Sequence, residues 1–449
     1  MDVKNIRTMD RRSFIKVSGA AAAGAALAGC APRRQDKAAR TEEILSRGAE
    51  SMPQNYPGVG LLGFGCMRWP MIEETGEIDQ EAVNEMVDYA LAHGVNYFDS
   101  APVYLRGKSE LATATALLRH PREEYIISTK CSTMRTDGSL ETGKQMYLQS
   151  LENYQTDYLD YYLLHNINSY ESFKKRFLDN GLMDYLQGEK KKGHIRNLGF
   201  SFHGSKEGFD ELMALHEKYH WDFVLIQMNY HDWTHASRDA KAKYMYNRLA
   251  ELDIPVVIME PLLGGRLASI PGPLADMLKE LKPQSSIASW AFRFNGSFPK
   301  VLTVLSGMTC MDHLRDNLET YLDFEKLSEE EFALLEKIAG EMDKYPLVRC
   351  TACQYCMPCP YGINIPAIFK FYNDNINAGT FVVSSEQKGY ARQRASYLAR
   401  YGKAIPTLRQ ADHCIGCKEC LVKCPQHIDI PSELHRIDRY IEKLKKDAI

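Results

Sequence analysis

Eight of the chain's twelve cysteines lie between Cys350 and Cys424, and their spacing constrains the fold more than any other feature. The first run is Cys350, Cys353, Cys356 and Cys359, each separated from the next by two residues and closed by Pro360. The second is Cys414, Cys417 and Cys420, then Cys424 after three intervening residues, closed by Pro425. The match runs on past the cysteines: Cys359-Pro360-Tyr361-Gly362-Ile363-Asn364-Ile365-Pro366 aligns with Cys424-Pro425-Gln426-His427-Ile428-Asp429-Ile430-Pro431, so the tail is an internal repeat. Three thiolates at this spacing can wrap three irons of a cubane, with a distant Cys-Pro as the fourth ligand. By that rule Cys350, Cys353 and Cys356 join Cys424, while Cys414, Cys417 and Cys420 join Cys359. Two other readings stay open. Zinc usually takes cysteines as CxxC pairs, and disulfides are plausible outside the cytoplasm, although neighbours at this spacing rarely pair. Helix-like stretches at Phe369–Asn377 and Arg392–Tyr401 predict a small helix-rich module over 346–449.

Before the tail, short apolar runs alternate with amphipathic stretches. The strand-like runs are Val59–Met67, Asn96–Ala101, Tyr125–Cys131, Tyr158–Asn166, Asn197–Phe202, Phe223–Tyr230, Pro255–Pro261 and Val301–Met308. Helix-like stretches lie between them, among them Gln80–His93, Ser109–Leu118, Lys144–Asn153, Met183–Lys192, Lys206–Tyr219, Arg238–Leu252 and Leu274–Leu281. Eight strands with helical crossovers predict an α/β chain, a parallel (β/α)8 TIM barrel over 57–345. A doubly wound sheet is the rival, but no GxGxxG follows the first strand. The hydrophobic share of 45% is that of a folded soluble protein. A net charge of −3 offers no basic field for nucleic acid.

In such a barrel chemistry sits where strands end. Asp99, Tyr104, Lys130 and His165 stand at or just past the ends of the second, third and fourth strands. A phenol is a weak acid at neutral pH, and a neighbouring ammonium favours its ionised form. A carboxylate keeps that ammonium charged, and a neutral imidazole can polarise a carbonyl oxygen. These residues and their order resemble the aldo-keto reductase family. The resemblance implies hydride transfer between a nicotinamide cofactor, NADP or NAD, and a small carbonyl or alcohol substrate. It makes Tyr104 the general acid/base, Lys130 and Asp99 its tuners, and His165 the residue that orients substrate.

The same resemblance reaches the nucleotide. Ser201 and Gln227 fit positions that hold the nicotinamide carboxamide. Glu260, Leu262, Gly264 and Gly265 fit the loop along the pyrophosphate, where glycine allows close backbone approach. Asp316 and Asn317 fit the adenine-contacting pair. Three positions depart from the pattern. The residue after Ser201 is Phe202 where the family usually has Asn, and the Lys and Arg aimed at a 2′-phosphate are replaced by Gly307 and His313.

The tail resembles two-cluster ferredoxins, which implies two 4Fe-4S clusters and a one-electron redox partner protein. The N-terminus carries Arg11-Arg12, a mild Ala/Gly-rich run and Leu27-Ala28-Gly29-Cys30. It resembles a twin-arginine signal with a lipobox over 1–30, implying a mature chain that begins at Cys30, a lipid anchor through Cys30 and a membrane-anchored lipoprotein facing the periplasm or exterior. That route exports proteins folded with their cofactors, so the nucleotide is expected to be bound before export. Residues 31–56 are polar and aperiodic and predict a tether. Cys66, Cys131, Trp69, Tyr230, His231 and Trp233 lie near the expected mouth, as pocket lining or loop core. Hydride carries two electrons and each cluster one, and no flavin signature bridges them. A second class of function therefore stands beside the reductase: an iron–sulfur electron-transfer subunit with the barrel as scaffold.

Overall fold

The computed structural model describes residues 34–236 and 239–449; the twin-arginine stretch and Cys30 lie outside the described residues. Eight parallel strands close into a barrel in chain order. They are β1 Leu62–Gly65, β2 Tyr97–Asp99, β3 Ile126–Cys131, β4 Leu159–Ile167, β5 Ile195–Phe202, β6 Val224–Gln227, β7 Val256–Met259 and β8 Val301–Ser306. All eight coincide with the expected runs, with ends displaced by a few residues.

Strand periodicity explains why the functional candidates share one place. Tyr97, Leu163, Leu225, Val257 and Leu302 form one apolar cluster contributed by strands around the barrel. Two residues further along, on the same face of each strand, stand Asp99, His165 and Gln227. Lys130 pairs in register with Leu163, and Leu163 with Gly199, which puts Lys130 and Ser201 in the same rows. In β2, β4 and β6 the inner row is apolar below a polar residue at its C-terminal end, while in β3 Ser128 already precedes Lys130. Gly199 has no room for a side chain, since an added Cβ would lie 2.2 Å from the carbonyl oxygen of Phe223.

Most crossover helices lie where periodicity put them; Ile287–Gly296, Met311–Leu322 and Glu329–Met342 are additional. The expected tether is a correction. Arg34–Leu45 is a helix, with Ile44 and Leu45 buried. Arg40 and Arg47 both pair with Asp323, and Arg47 also donates to the carbonyl of Leu322, 2.9 Å away. Two apolar residues at the helix end suffice to dock a segment whose polarity reads as linker.

The packing divides the described chain into two compact units. One runs to Leu262 and resumes over Ala288–Ala333; the other joins Leu263–Ile287 to Leu334–Ile449. The boundary therefore differs from the expected cut at 345, because the segment leaving β7 packs with the C-terminal residues. That second unit is built on helices Ile365–Asn377, Tyr390–Ala404 and Ile430–Lys445. Ile430, Leu434, Ile437, Ile441 and Leu444, spaced four and three apart, bury one stripe of the last helix against Phe369, Tyr372 and Tyr397. The sequence repeat becomes a repeated helix start. Asn364 caps one helix and Asp429 the other, each with proline in the first turn.

Candidate active site

At the C-terminal rim, Asp99 and Lys130 form a buried ion pair. Ser128 Oγ donates to Asp99 at 2.9 Å, and Lys130 Nζ also donates to the carbonyl of Ser100 at 2.6 Å. Burial pulls both groups toward neutrality, raising Asp99 and lowering Lys130, and their attraction opposes it. Lys130 Nζ lies 5.0 Å from the centre of the Tyr104 ring. The same ring meets that of His165 edge-on at 5.8 Å. Tyr104 begins a tight turn in which Leu105, Arg106 and Gly107 all have positive φ, 49°, 59° and 88°. Two non-glycine residues in the left-handed region cost backbone energy, and they reverse the chain directly after the phenol.

His165 is buried, with Nδ1 2.6 Å from the Ser132 hydroxyl. Burial first, then the positive charge of Lys130, drives its pKa well below the usual histidine value. The imidazole is neutral at pH 7; with the Ser132 hydroxyl as donor to Nδ1, the ring proton would sit on Nε2. The unfolded chain takes up a proton here near pH 6.5 and the folded chain does not. Stability from this group is therefore complete above about pH 6.5 and falls by about 1.4 kcal/mol per pH unit below it. His165→Gln is expected to flatten that slope in denaturant titrations between pH 6.5 and 5; an unchanged slope would show the ring protonated in the fold.

Sequence reasoning missed Arg176. It is buried, and it donates to the carbonyls of His165 at 2.7 Å and Asn166 at 3.0 Å. Burial lowers its pKa to about 10, which leaves it charged. It ties down the irregular end of β4, where register shifts between Leu164 and Ile167 and Asn166 has φ of 57°. Nothing in Lys174-Lys175-Arg176 distinguished this arginine from a solvated one.

The nucleotide candidates behave unequally. Ser201 Oγ accepts the backbone N–H of Asn166 at 2.8 Å. Gln227 Nε2 donates to Asp232, which also accepts from Asn229 at 3.0 Å. Asn317 donates to Ser306 Oγ at 2.8 Å; Asp316 is half-buried beside it. Gly307 lies under Arg68, whose side chain an added Cβ would meet at 3.1 Å. A cation the sequence reading overlooked thus stands beside the position where the expected lysine is missing. Glu260 has φ of 55° and follows β7 directly, with Leu262 half-buried. Within the second unit, Gly264 and Gly265 both have positive φ, 70° and 95°. The close approach at Gly264 is made by protein: an added Cβ would lie 2.3 Å from Thr351 Cα. Gly265 has open space on its side-chain face.

Of the other mouth candidates, Cys66 and Cys131 are buried thiols whose pKa burial raises, so neither is a ready nucleophile. Trp69 donates to Thr113 Oγ1 at 3.0 Å and packs on Phe64, and Trp233 packs on Phe298, both as loop core.

In the second unit, all described cysteines are free of disulfides. Cys350 has Cys353 and Cys424 as electrostatic neighbours, and Cys356 has Cys353, Cys350 and Cys424. Cys414 and Cys420 share Cys417 and Cys359. The neighbour from the opposite run is Cys424 for Cys350 and Cys356, and Cys359 for Cys414 and Cys420. Among the described residues, no three His, Cys, Asp or Glu side chains draw together as ligands of a single metal ion.

A model of the aldo/keto reductase family matches residues 61–339. The chain belongs to the aldo/keto reductase family. To this aldo/keto reductase barrel is joined a 4Fe-4S dicluster domain, matched over 349–429, and a twin-arginine translocation signal, matched over 8–28. The uncharacterized oxidoreductase YqkF of Bacillus subtilis is 23% identical over 307 residues, 62% of this chain and 92% of that protein. A probable aldo-keto reductase of soybean, Glycine max, is 27% identical over 141 residues, 28% of this chain and only 40% of its own length. An aldo-keto reductase from Klebsiella pneumoniae, solved in complex with NADPH, has the same barrel fold, with a TM-score of 0.52, 20% identity, and coverage of 65% of this chain and 94% of that one. The signal points to export, and among the described residues no helix is long and apolar enough to cross a membrane.

Proposed function

We propose that this aldo/keto reductase is an exported enzyme that interconverts a small carbonyl compound and its alcohol. The reading is carried by one observation: a buried, carboxylate-paired ammonium 5.0 Å from the Tyr104 ring, with His165 edge-on to the same ring. In the reducing direction the Tyr104 hydroxyl gives its proton to the carbonyl oxygen. Lys130 stabilises the phenolate left behind, and Asp99 keeps Lys130 cationic. His165, neutral and anchored by Ser132 and Arg176, donates a hydrogen bond to the same oxygen and orients it. A bound nicotinamide nucleotide, NADP or NAD, supplies hydride to the carbonyl carbon. The residues that would hold it are Ser201 and Gln227 for the carboxamide, Glu260 and Leu262 for the phosphates, and Asp316 and Asn317 for the adenine. Buried side-chain polar atoms at Ser201, Gln227 and Asn317 suit a polar, flat ligand; the Arg68 cation beside Gly307 suits a phosphate.

The eight tail cysteines are two all-thiolate sets, a donor chemistry that suits iron–sulfur clusters. In this reading Cys350, Cys353, Cys356 and Cys424 hold one 4Fe-4S cluster, and Cys414, Cys417, Cys420 and Cys359 the other. Cys424→Ser is expected to remove about half of the iron and acid-labile sulfide, since the crossed ligand belongs to the first set. Loss of the second cluster's spectrum instead would overturn the crossed assignment. The lipid anchor at Cys30 belongs to the same proposal; mass spectrometry of the mature N-terminus tests it.

Carbonyl-dependent oxidation of NADH or NADPH that disappears in Tyr104→Phe is the test of the reductase. Unchanged turnover in that variant would favour the electron-transfer subunit with a scaffold barrel.

A further inference from the structure

The repeat gives the two cysteine sets equivalent sequence but unequal surroundings. The residue after the first cysteine is Thr351 in one run and Ile415 in the other. Thr351, the polar one, is 1% exposed and lies against Gly264. Ile415, the apolar one, is 63% exposed. Burial preference alone would assign them the other way. Ile415 has apolar company. Val422, between Cys420 and Cys424, is 91% exposed, Leu408 78% and Tyr361 46%.

A backbone bond ties the turn that carries Tyr361 to Arg409, next to Leu408, while Ile415 follows Cys414 and Val422 lies between Cys420 and Cys424 in the chain. Asn364 N–H donates to the Arg409 carbonyl at 3.1 Å, Gly362 N–H to the Cys359 carbonyl at 2.9 Å, and Cys414 N–H to the Ala411 carbonyl at 3.0 Å. A Cβ on Gly362 would meet the Leu408 carbonyl oxygen at 3.6 Å. Cys417 is itself exposed, whereas Cys356 of the first set is buried. The stretch that carries Leu408, Ile415 and Val422 is net basic: over 403–423, Lys403, Arg409, Lys418 and Lys423 stand against Asp412 and Glu419, in a chain whose net charge is −3. Arg409 and Lys418 are exposed beside Leu408 and Cys417.

We propose that the face formed by Tyr361, Leu408, Ile415 and Val422 is a docking surface for a small acidic one-electron carrier protein. Electrons cross the protein boundary at the second set, while in the first run Thr351 packs against Gly264. This rests on the reading that both sets hold clusters. Electron-transfer encounters use small interfaces, an apolar centre and a complementary charged rim, and those are the features present. Each encounter moves one electron: the carrier is oxidised by one and the cluster reduced by one, or the reverse, and no bond or proton changes place.

The test uses the iron-loaded full-length protein and a reduced acidic flavodoxin as probe, with cluster bleaching followed by stopped flow. Wild-type bleaching should be second order and should slow as salt rises. Val422→Asp and Arg409→Glu should each lower the bimolecular rate by about tenfold or more at low salt. Both should keep wild-type iron content and the same bleaching rate with dithionite, which needs no docking. Unchanged flavodoxin rates in iron-loaded variants would overturn the docking face alone. Protein without iron or sulfide would overturn the cluster reading beneath it. A dimer that Val422→Asp dissociates would assign the face to a second copy and overturn the carrier. So would binding to anionic lipid vesicles that the same variant abolishes.

Discussion

Tyr104→Phe is expected to lower kcat for carbonyl reduction by about 10²- to 10⁴-fold, the usual contribution of a positioned general acid. KM should change little, because the ring and its contact with His165 stay. The hydroxyl is the only group removed, so the iron spectrum should match wild type. A fall in kcat below tenfold would mean the proton comes from elsewhere. The pH profile carries a second reading: loss of the wild-type basic limb in the variant is expected if Tyr104 is the titrating acid.

Lys130→Met is expected to damage both catalysis and the fold. Removing one partner of a buried ion pair leaves the other charge uncompensated, at a cost of about 3–5 kcal/mol. The damage should depend on pH in a defined direction. Burial already raises the Asp99 pKa, and without Lys130 only the Ser128 hydrogen bond opposes it. A group with a raised folded pKa contributes stability that is present below its unfolded value, near 4, and lost as pH rises. The variant should therefore lie closest to wild type near pH 4 and furthest from it at neutral pH, as read from denaturant midpoints. Adding Asp99→Asn should recover part of the stability and none of the turnover. Equal destabilisation at all pH values would show that Asp99 is not the group left stranded.

The barrel was legible because its strands are short apolar runs with period two, and the polar residue ending each inner row breaks that pattern visibly. Asp99, Lys130 and His165 were found because they stand where the predicted strands end, in an order that resembles the reductase family. The cysteine sets were legible for a different reason, since thiolate spacing is a chemical rule that needs no fold. What stayed hidden has a common cause. Arg176 and Ser132 act on His165 through contacts between different loops, and neither has a local signature. The helix Arg34–Leu45 is polar nearly throughout and owes its place to Ile44, Leu45 and two arginines on one aspartate. The last helix, Ile430–Lys445, was missed although the repeat named its start, because Asp429 and Pro431 were read only as continuations of a cysteine motif. Gly264 was recognised as a position needing close approach, but what approaches it cannot be read from the loop's own residues.

That glycine bears on how such a chain could be shortened. With Thr351 seated where a Gly264 side chain would be, the span Leu263–Ile287 owes its shape to residues almost ninety positions downstream. A chain trimmed after residue 345 would not be a bare cylinder with its ornament removed. It would be a cylinder with one return path unmoored, prone to proteolysis there, and the iron-binding tail is for that reason a poor cassette to exchange among barrels.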